Sequence, residues 1–527
     1  MKKLIAITLL ALFVQACDED FLKEEPKSFL TTATALGDIE GLENATYSVY
    51  DFYRIPNSSP ALEFEWGGTD LTFSPSNSRY KAYVEYVDLN PFDGHLEFRW
   101  NRAYQYINYA NLIIENAENL DPENERVASV IRQVKFWRAF IYFDLLERWD
   151  NIPLVLQSTS NIETNVSPAS QDEVTKYLVD DLTSIIAEPD FSYVPSEPGR
   201  ITKGAAQHLL ANIYLYLEQW NDAAAVATDL INNSGYTLVD NYADLFDYTQ
   251  ENANDFTENI LVLQYDLSTV STGGNNHRYV LPLVCEYDRI QGVARTAEFG
   301  GRPWARIFPS QRYVDLFEPG DERRDGSLFD GWYFNDAVWF EANDTDNDGI
   351  VTHPVSGRNI QLGDLVTAAE ASIPQHYNVS SVKYWDGVTK DIFSPVSSKD
   401  IILYRLAETY LFAAEAYMEL GQTANALSYL NVVRERAFNG TANNLTAIDV
   451  DILLEERGRE LGIEGKRWKT LKRKGKLLEY VRTFGAQYQQ DEAYINIQDH
   501  NTTLPIPQTF KDLTDNYPQN PGYSTGL

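Results

Sequence analysis

"LLANIYLYLEQWNDAAAVATDLI", residues 209–231, and "AAEAYMELGQTANALSYLNVV", residues 413–433, align at a constant offset of 203. Ala211 falls on Ala414, Tyr214 on Tyr417, Leu217 on Leu420, Gln219 on Gln422 and Ala223 on Ala426. Small residues at close-approach points, an aromatic on the packing stripe and a tight turn describe a tetratricopeptide-type helical hairpin. At least about three such repeats are needed to bury a continuous core. Degenerate helix pairs at 100–149 and 449–480 are expected to supply the rest. "WNRAYQYINYANLIIENAENL" sets Trp100, Tyr104, Ile107, Asn111, Ile114 and Ala117 on one stripe at helical spacing. Asp121 as N-cap and Pro122 at the first position then begin a second helix, which ends before Asp150.

Between the repeats the chain changes character. Over 250–398 helical periodicity fades, Gly, Pro, Asn and Asp accumulate, and aromatics sit among polar residues, as in "GRPWARIFPS" and "DGWYFNDAVWFEANDTDNDG". A loop-rich region this long in a compact protein is usually functional. The expected organisation is a helical part at 36–249, a ligand lobe at 250–398, helical repeats at 399–482 and an irregular C-terminal segment at 483–527 packing on the lobe.

The start reads as an address. Lys2 and Lys3, an apolar run from Leu4 to Val14 and a small residue before Cys17 describe a secretory signal over 1–16. "VQAC" resembles the lipobox of bacterial lipoproteins, which implies acylation of Cys17, and the following "DED" resembles the surface-export signal of Bacteroidetes lipoproteins. Residues 17–35 would be the lipidated N-terminus and tether.

A net charge of −34 argues against nucleic acid, whose phosphates need a basic footprint, and by the same repulsion makes a polyanionic sugar the less expected glycan. The only other cysteine, Cys285, is expected to be a small buried residue. The six histidines are scattered without metal spacing, and no H-E-x-x-H, nucleophile elbow or phosphate-binding loop is present. A glycoside hydrolase is therefore the weaker reading, although a catalytic carboxylate pair among 77 acidic residues is not visible in a sequence.

"LYRLAETYLFAAEAYMEL", "NVVRERA", "ILLEERGRELGIEGKRWKTLKR", "LPIP" and "QNPGY" resemble the SusD/RagB family, surface lipoproteins of Bacteroidetes nutrient uptake. "FWRAFIYFDLLERWDNIPLV" and "TKGAAQHLLANIYLYLEQW" extend the resemblance through the N-terminal half. It implies a mainly α fold of four tetratricopeptide-like helix pairs, with a loop-rich ligand lobe inserted and completed by the C-terminal segment. It also implies a non-enzymatic binder of oligo- or polysaccharide, or alternatively of peptide or another nutrient. The protein would be lipid-anchored at the outer membrane, facing outward, and would serve a SusC-like TonB-dependent transporter. The charges of Arg405, Glu408, Glu415 and "EERGREL…GKRWKTLKR" are read as scaffold ion pairs. The basic run from Lys466 to Lys476 is read as a solvated face answering nearby acids.

Candidate ligand residues follow from aromatics outside periodic apolar segments: Trp66, Trp304, Trp332, Tyr333, Trp339 and Trp385. Arg302, Asn335 and Asp336 would bond sugar hydroxyls at the rim. No cofactor is required, but Asp344, Asp346 and Asp348 before Gly349 look like the first half of a calcium loop. The Ile350 carbonyl, water and a distant acid would complete it. The plainer reading is an acidic turn, since position twelve is Val355 and not Glu.

Overall fold

The computed structural model describes residues 35–523 apart from 54–63, 75–80, 122, 162, 251–252, 254–255, 266–276 and 389. The expected signal peptide, Cys17 and all of the tether but its last residue lie outside the described residues. The frame begins with α1 (Ile39–Tyr50), α2 (Gly94–Glu118), α3 (Glu125–Trp149), α4 (Gln171–Ile186), α5 (Lys203–Tyr216) and α6 (Trp220–Asn233). It resumes with α7 (Leu406–Glu419), α8 (Thr423–Ala437), α9 (Val450–Leu461), α10 (Arg467–Arg473) and α11 (Leu477–Tyr488). The fold is mainly α. Its four helix pairs are α2/α3, α5/α6, α7/α8, and α9 with α10 and α11.

The two sequence repeats are α5/α6 and α7/α8, and α6 stacks directly on α7. Small residues allow it: Ala211, Ala223, Ala224 and Ala227 meet Phe412, Ala413 and Ala416. The turns match atom for atom. Gln219 N donates to Tyr214 O at 2.9 Å, and Gln422 N donates to Tyr417 O at 2.9 Å. The residue before each glutamine is left-handed, Glu218 at φ 56° and Gly421 at φ 71°.

In α2 the expected stripe faces inward, with Trp100, Ile107, Asn111, Ile114 and Ala117 buried. The start of α3 differs from expectation. Its N-cap is Asn124, whose side chain accepts from Arg126 N at 3.0 Å, while the Asp121 carboxylate is used on Glu123 N in the preceding turn. From Phe136 to Trp149 every residue of α3 is buried, charged ones included.

The irregular region enters and leaves through one ribbon. Strand β1 (Asn259–Leu263) pairs antiparallel with β2 (Ile401–Arg405), in the register Leu263 to Ile401 and Asn259 to Arg405, and β2 runs directly into α7. Between them, short turns and two-residue strand pairs gather a separate core of Cys285, Tyr287, Phe299, Trp332, Phe334, Phe340 and Trp385. Cys285 is wholly buried, and burial pushes its thiol up to about 12. It is a core residue.

Buried charge joins this lobe to the frame. Arg323 is 0% exposed and reaches Asp321 at 2.7 Å, Glu456 at 2.6 Å and Glu460 at 3.1 Å. Arg405 binds Glu258, Glu460 and Glu464, and Arg436 of α8 binds Glu258 and Glu460. The scaffold reading of these motifs holds. The basic run is answered by acids as expected, Lys469 lying 2.9 Å from Glu147, Lys472 2.8 Å from Asp150, and Arg473 binding Glu415. It is packed into the frame, however, and is not a solvated face, since none of its basic residues is exposed.

The C-terminal segment departs from expectation. α11 runs across position 483, and among the described residues this segment meets the lobe through Phe484, which lies 3.9 Å from the Arg312 guanidinium, and through Tyr488 and Gln490, the latter accepting from Gln311 N at 2.7 Å. The remainder closes the first helix pair. Trp149 Nε1 donates to Pro505 O at 2.9 Å, Phe510 packs on Trp100, and Asn520 Nδ2 donates to Trp149 O and Leu504 O. Irregular composition marked an unfilled helical edge, not membership of the lobe.

Candidate functional site

Three of the proposed platform tryptophans are core residues. Trp66, Trp332 and Trp385 are 3%, 0% and 2% exposed. Trp332 stacks on Tyr287 at 4.7 Å and 15°, meets Phe329 and Phe299 edge-on, and donates Nε1–H to Asn378 O at 3.3 Å. Trp385 lies against Phe329 and against Gly300, where a Cβ would come within 2.9 Å of the indole. Trp66 packs between Tyr279 and Tyr384. A core tryptophan need not sit in a periodic segment when the core is built from turns, and these rings have no open face.

The proposed rim groups are also engaged internally. Asn335 clasps Ala294, accepting from its N–H at 2.6 Å and donating to its carbonyl at 3.2 Å. Asp336 is the N-cap of the short helix Ala337–Asn343, accepting from Trp339 N at 3.1 Å. Tyr333 and Trp339 are half-buried. Tyr333 donates its hydroxyl to Glu298 at 2.8 Å, and Trp339 lies against Phe340 and Gly292.

The acidic loop does not converge on a cation position. Asp344 turns inward, accepting from Asp348 N at 3.2 Å and Gly349 N at 2.8 Å, and Asp348 accepts from Ile350 N at 2.9 Å. Among the described residues no three His, Cys, Asp or Glu side chains stand together in a way that could hold a metal ion. With Asp344 and Asp348 closing their own turn, Asp344, Asp346, Asp348 and Ile350 form an acidic turn and not a calcium loop.

Arg302 and Trp304 remain, and the structure sets them in a distinctive place. Along 302–307 burial alternates: Pro303, Ala305 and Ile307 are buried, while Arg302, Trp304 and Arg306 are half-exposed. Backbone bonds hold this segment to 281–284, Trp304 N to Leu281 O at 2.8 Å and Arg306 N to Pro282 O at 2.9 Å. Arg278 places its guanidinium 5.6 Å from the centre of the Trp304 ring, at cation–π range. Arg302 follows the Gly300–Gly301 corner, at φ 77° and 67°, where a side chain on Gly300 would clash with Trp385 and one on Gly301 would press on Lys390. Lys390 donates Nζ–H to Gly300 O at 2.9 Å. Burial pushes its ammonium down to about 8, Asp386 opposes this, and Arg295 and Arg302 add to the depression.

Arg278, Arg302 and Arg306 differ from every other arginine among the described residues. All the others lie within 4 Å of a carboxylate. These three have none, and the Nε atoms of Arg278 and Arg306 are buried without a hydrogen-bond partner. Sequence reasoning found Arg302 and Trp304 but missed Arg278 and Arg306. For Arg306 a signal existed in the two-residue spacing of "RPWAR".

The fold defines a helical-repeat binding scaffold carrying an aromatic–arginine face. Comparison with known proteins then places it. The family model described as "SusD family" matches residues 257–523, and that described as "Starch-binding associating with outer membrane" matches residues 20–215. The chain belongs to the SusD family. A SusD-like protein of Bacteroides ovatus is 26% identical over 88% of this chain and 81% of its own length. The starch-binding protein SusD of Bacteroides thetaiotaomicron is 26% identical over 92% of this chain and 88% of its own. The crystal structure of a SusD homolog from the same organism superposes with a TM-score of 0.75 at 20% identity, covering 95% of this chain and 100% of that one.

Proposed function

We propose that this protein is a cell-surface glycan-binding lipoprotein, which captures an oligo- or polysaccharide on the Trp304 face and passes it to a TonB-dependent outer-membrane transporter. The half-exposed indole, with Arg278 against its ring and Arg302 and Arg306 two residues to either side, none of the three within 4 Å of a carboxylate, carries the binding half of this reading. A flat indole stacks on the C–H face of a sugar ring, and guanidinium groups donate to its edge oxygens. The starch-binding description of the N-terminal family model and the name of the Bacteroides thetaiotaomicron relative support sugar over peptide, and binding over catalysis. Anchoring rests on Cys17 and the charged and apolar stretch before it. The transporter rests on family membership.

Affinity electrophoresis across a polysaccharide panel tests the site. At least one glycan should retard the parent, and Trp304→Ala should abolish the retardation while melting at the parent's temperature. Equal retardation of Trp304→Ala would remove Trp304 from the site. For the anchor, Cys17→Ala should leave the outer membrane for the soluble fraction. For the partner, a native-membrane pull-down should recover an outer-membrane barrel.

A further inference from the structure

We propose that the Trp304 face takes an anionic glycan, one bearing uronate carboxylates or sulfate esters. This rests on the glycan-binding reading and goes on to name the ligand's chemistry. The chain carries 77 acidic against 43 basic residues, so carboxylates are in excess almost everywhere. Against that background the only described arginines without a carboxylate within 4 Å are Arg278, Arg302 and Arg306, and all three belong to the segment and stacking contact around Trp304. They are not freely solvated arms. Each is half-buried, and two have a buried Nε with no acceptor. A partly desolvated cation without an acceptor is costly, and an incoming anion removes that cost.

Donor chemistry separates neutral from charged sugars. A neutral sugar presents hydroxyls that both donate and accept, so its site needs carboxylate or amide oxygens beside its donors. Guanidinium groups only donate. A face with three of them and no carboxylate within 4 Å asks for a ligand rich in acceptors. Carboxylate and sulfate oxygens are such acceptors and fit the guanidinium fork in bidentate fashion. Lys390, fixed behind Arg302 by the Gly300 carbonyl, adds positive charge to the same corner. Ala305 holds a left-handed φ of 52° in the middle of the segment, a conformation strained for any residue but glycine, which the surrounding bonds maintain.

The experiment is calorimetry on the full chain with four probes: polygalacturonate for uronate, carrageenan for sulfate, and laminarin and starch as neutral glucans. Parent, Trp304→Ala, Arg302→Gln, Arg306→Gln, Arg278→Gln and Arg302→Lys are compared at 50 and 500 mM NaCl, each checked for an unchanged melting temperature. One charged probe should bind the parent and the neutral glucans should not. Each Gln variant should weaken binding about tenfold or more, the usual loss for a charge-assisted hydrogen bond. Arg302→Lys should retain part of the affinity, and high salt should weaken the parent more than the variants. Which anion binds distinguishes carboxylate from sulfate. Neutral-glucan binding that needs Trp304 but none of the arginines overturns this inference and leaves the glycan-binding reading standing. Charged-probe binding unchanged in all three Gln variants also overturns it. Binding of no probe by the folded parent overturns both.

Discussion

Glu460→Gln tests the lobe–frame junction directly. The carboxylate is 0% exposed, one oxygen accepting from Arg405 and Arg436 and the other from Arg323 at 3.1 Å. Gln preserves the shape but removes the charge, so three buried guanidinium groups each lose one of their acids. Breaking a buried pair in this way costs about 3–5 kcal/mol. Glu318 offers a control on the same network, because it pairs with Arg434 at 3.0 Å but is 41% exposed, and Glu318→Gln should cost under about 1 kcal/mol. Unfolding entropy near 2.1 cal/mol/K per residue gives about 1 kcal/mol/K for a cooperative chain of roughly 500 residues. Glu460→Gln should therefore lower Tm by about 3–5 °C in calorimetry at pH 7, and Glu318→Gln by about 1 °C or less. The acid limb adds a second readout. Burial alone would raise the Glu460 pKa, but Arg436, Arg405 and Arg323 hold it well below the usual carboxylate range. Its stabilisation is thus present above the unfolded pKa of about 4.3 and is lost as pH falls beneath it. The variant lacks this contribution at any pH, so its gap to the parent should narrow in acid. Indistinguishable Tm values for the two variants, or a gap that widens in acid, would refute the argument.

Trp332→Ala should cost about 3–5 kcal/mol of stability, as expected for a buried aromatic, whereas Trp304→Ala should leave the melting temperature within about 1 °C of the parent; equal destabilisation would contradict the assignment of one to the core and the other to the face. His277 is buried with Nε2 on Lys399 O at 2.8 Å and Nδ1 accepting from Tyr279 N at 3.2 Å, so no position remains for a second proton. Burial lowers its pKa to about 4, only partly offset by the Lys399 carbonyl, so its stabilisation is complete above pH 6.5 and falls by about 3 kcal/mol as pH drops through the 6.5–4 window. Melting of the parent and His277→Gln at pH 7 and pH 5 should show the steeper loss in the parent; parallel losses would remove His277 as its source. In the repeat turns, Glu218→Gly should be neutral to stabilising, and Gly421→Ala should cost about 1 kcal/mol, because both positions are left-handed; urea unfolding that shows the opposite order would contradict the equivalence of the two turns.

What was legible in the sequence follows the range of the interactions. The helical repeats rest on contacts three to five residues apart, so the offset between 209–231 and 413–433 carried even the turn geometry, down to a left-handed residue before each glutamine. The ion pairs were legible in kind but not in partner. Arg405 is followed closely by Glu408, yet it binds Glu258, Glu460 and Glu464, which only the folded ribbon, α9 and the turn after α9 bring to it. The aromatic reading failed where it carried a rule from helices into turns. Trp332 lies in "DGWYFND", as polar a setting as that of Trp304 in "GRPWARI". What separates them is the environment of each segment. Tyr287 and Phe299 from two short helical turns and Phe329 from the strand just before it converge on Trp332 and leave it 0% exposed. Trp304 alternates outward between two arginines, on a strip whose inward residues Pro303, Ala305 and Ile307 anchor it. That alternation is a two-residue period, readable from five letters. The absence of acids around Arg278, Arg302 and Arg306 is not readable, because a missing partner is a property of space and not of spacing. In so acidic a chain, that absence is the observation on which the proposed anionic ligand rests.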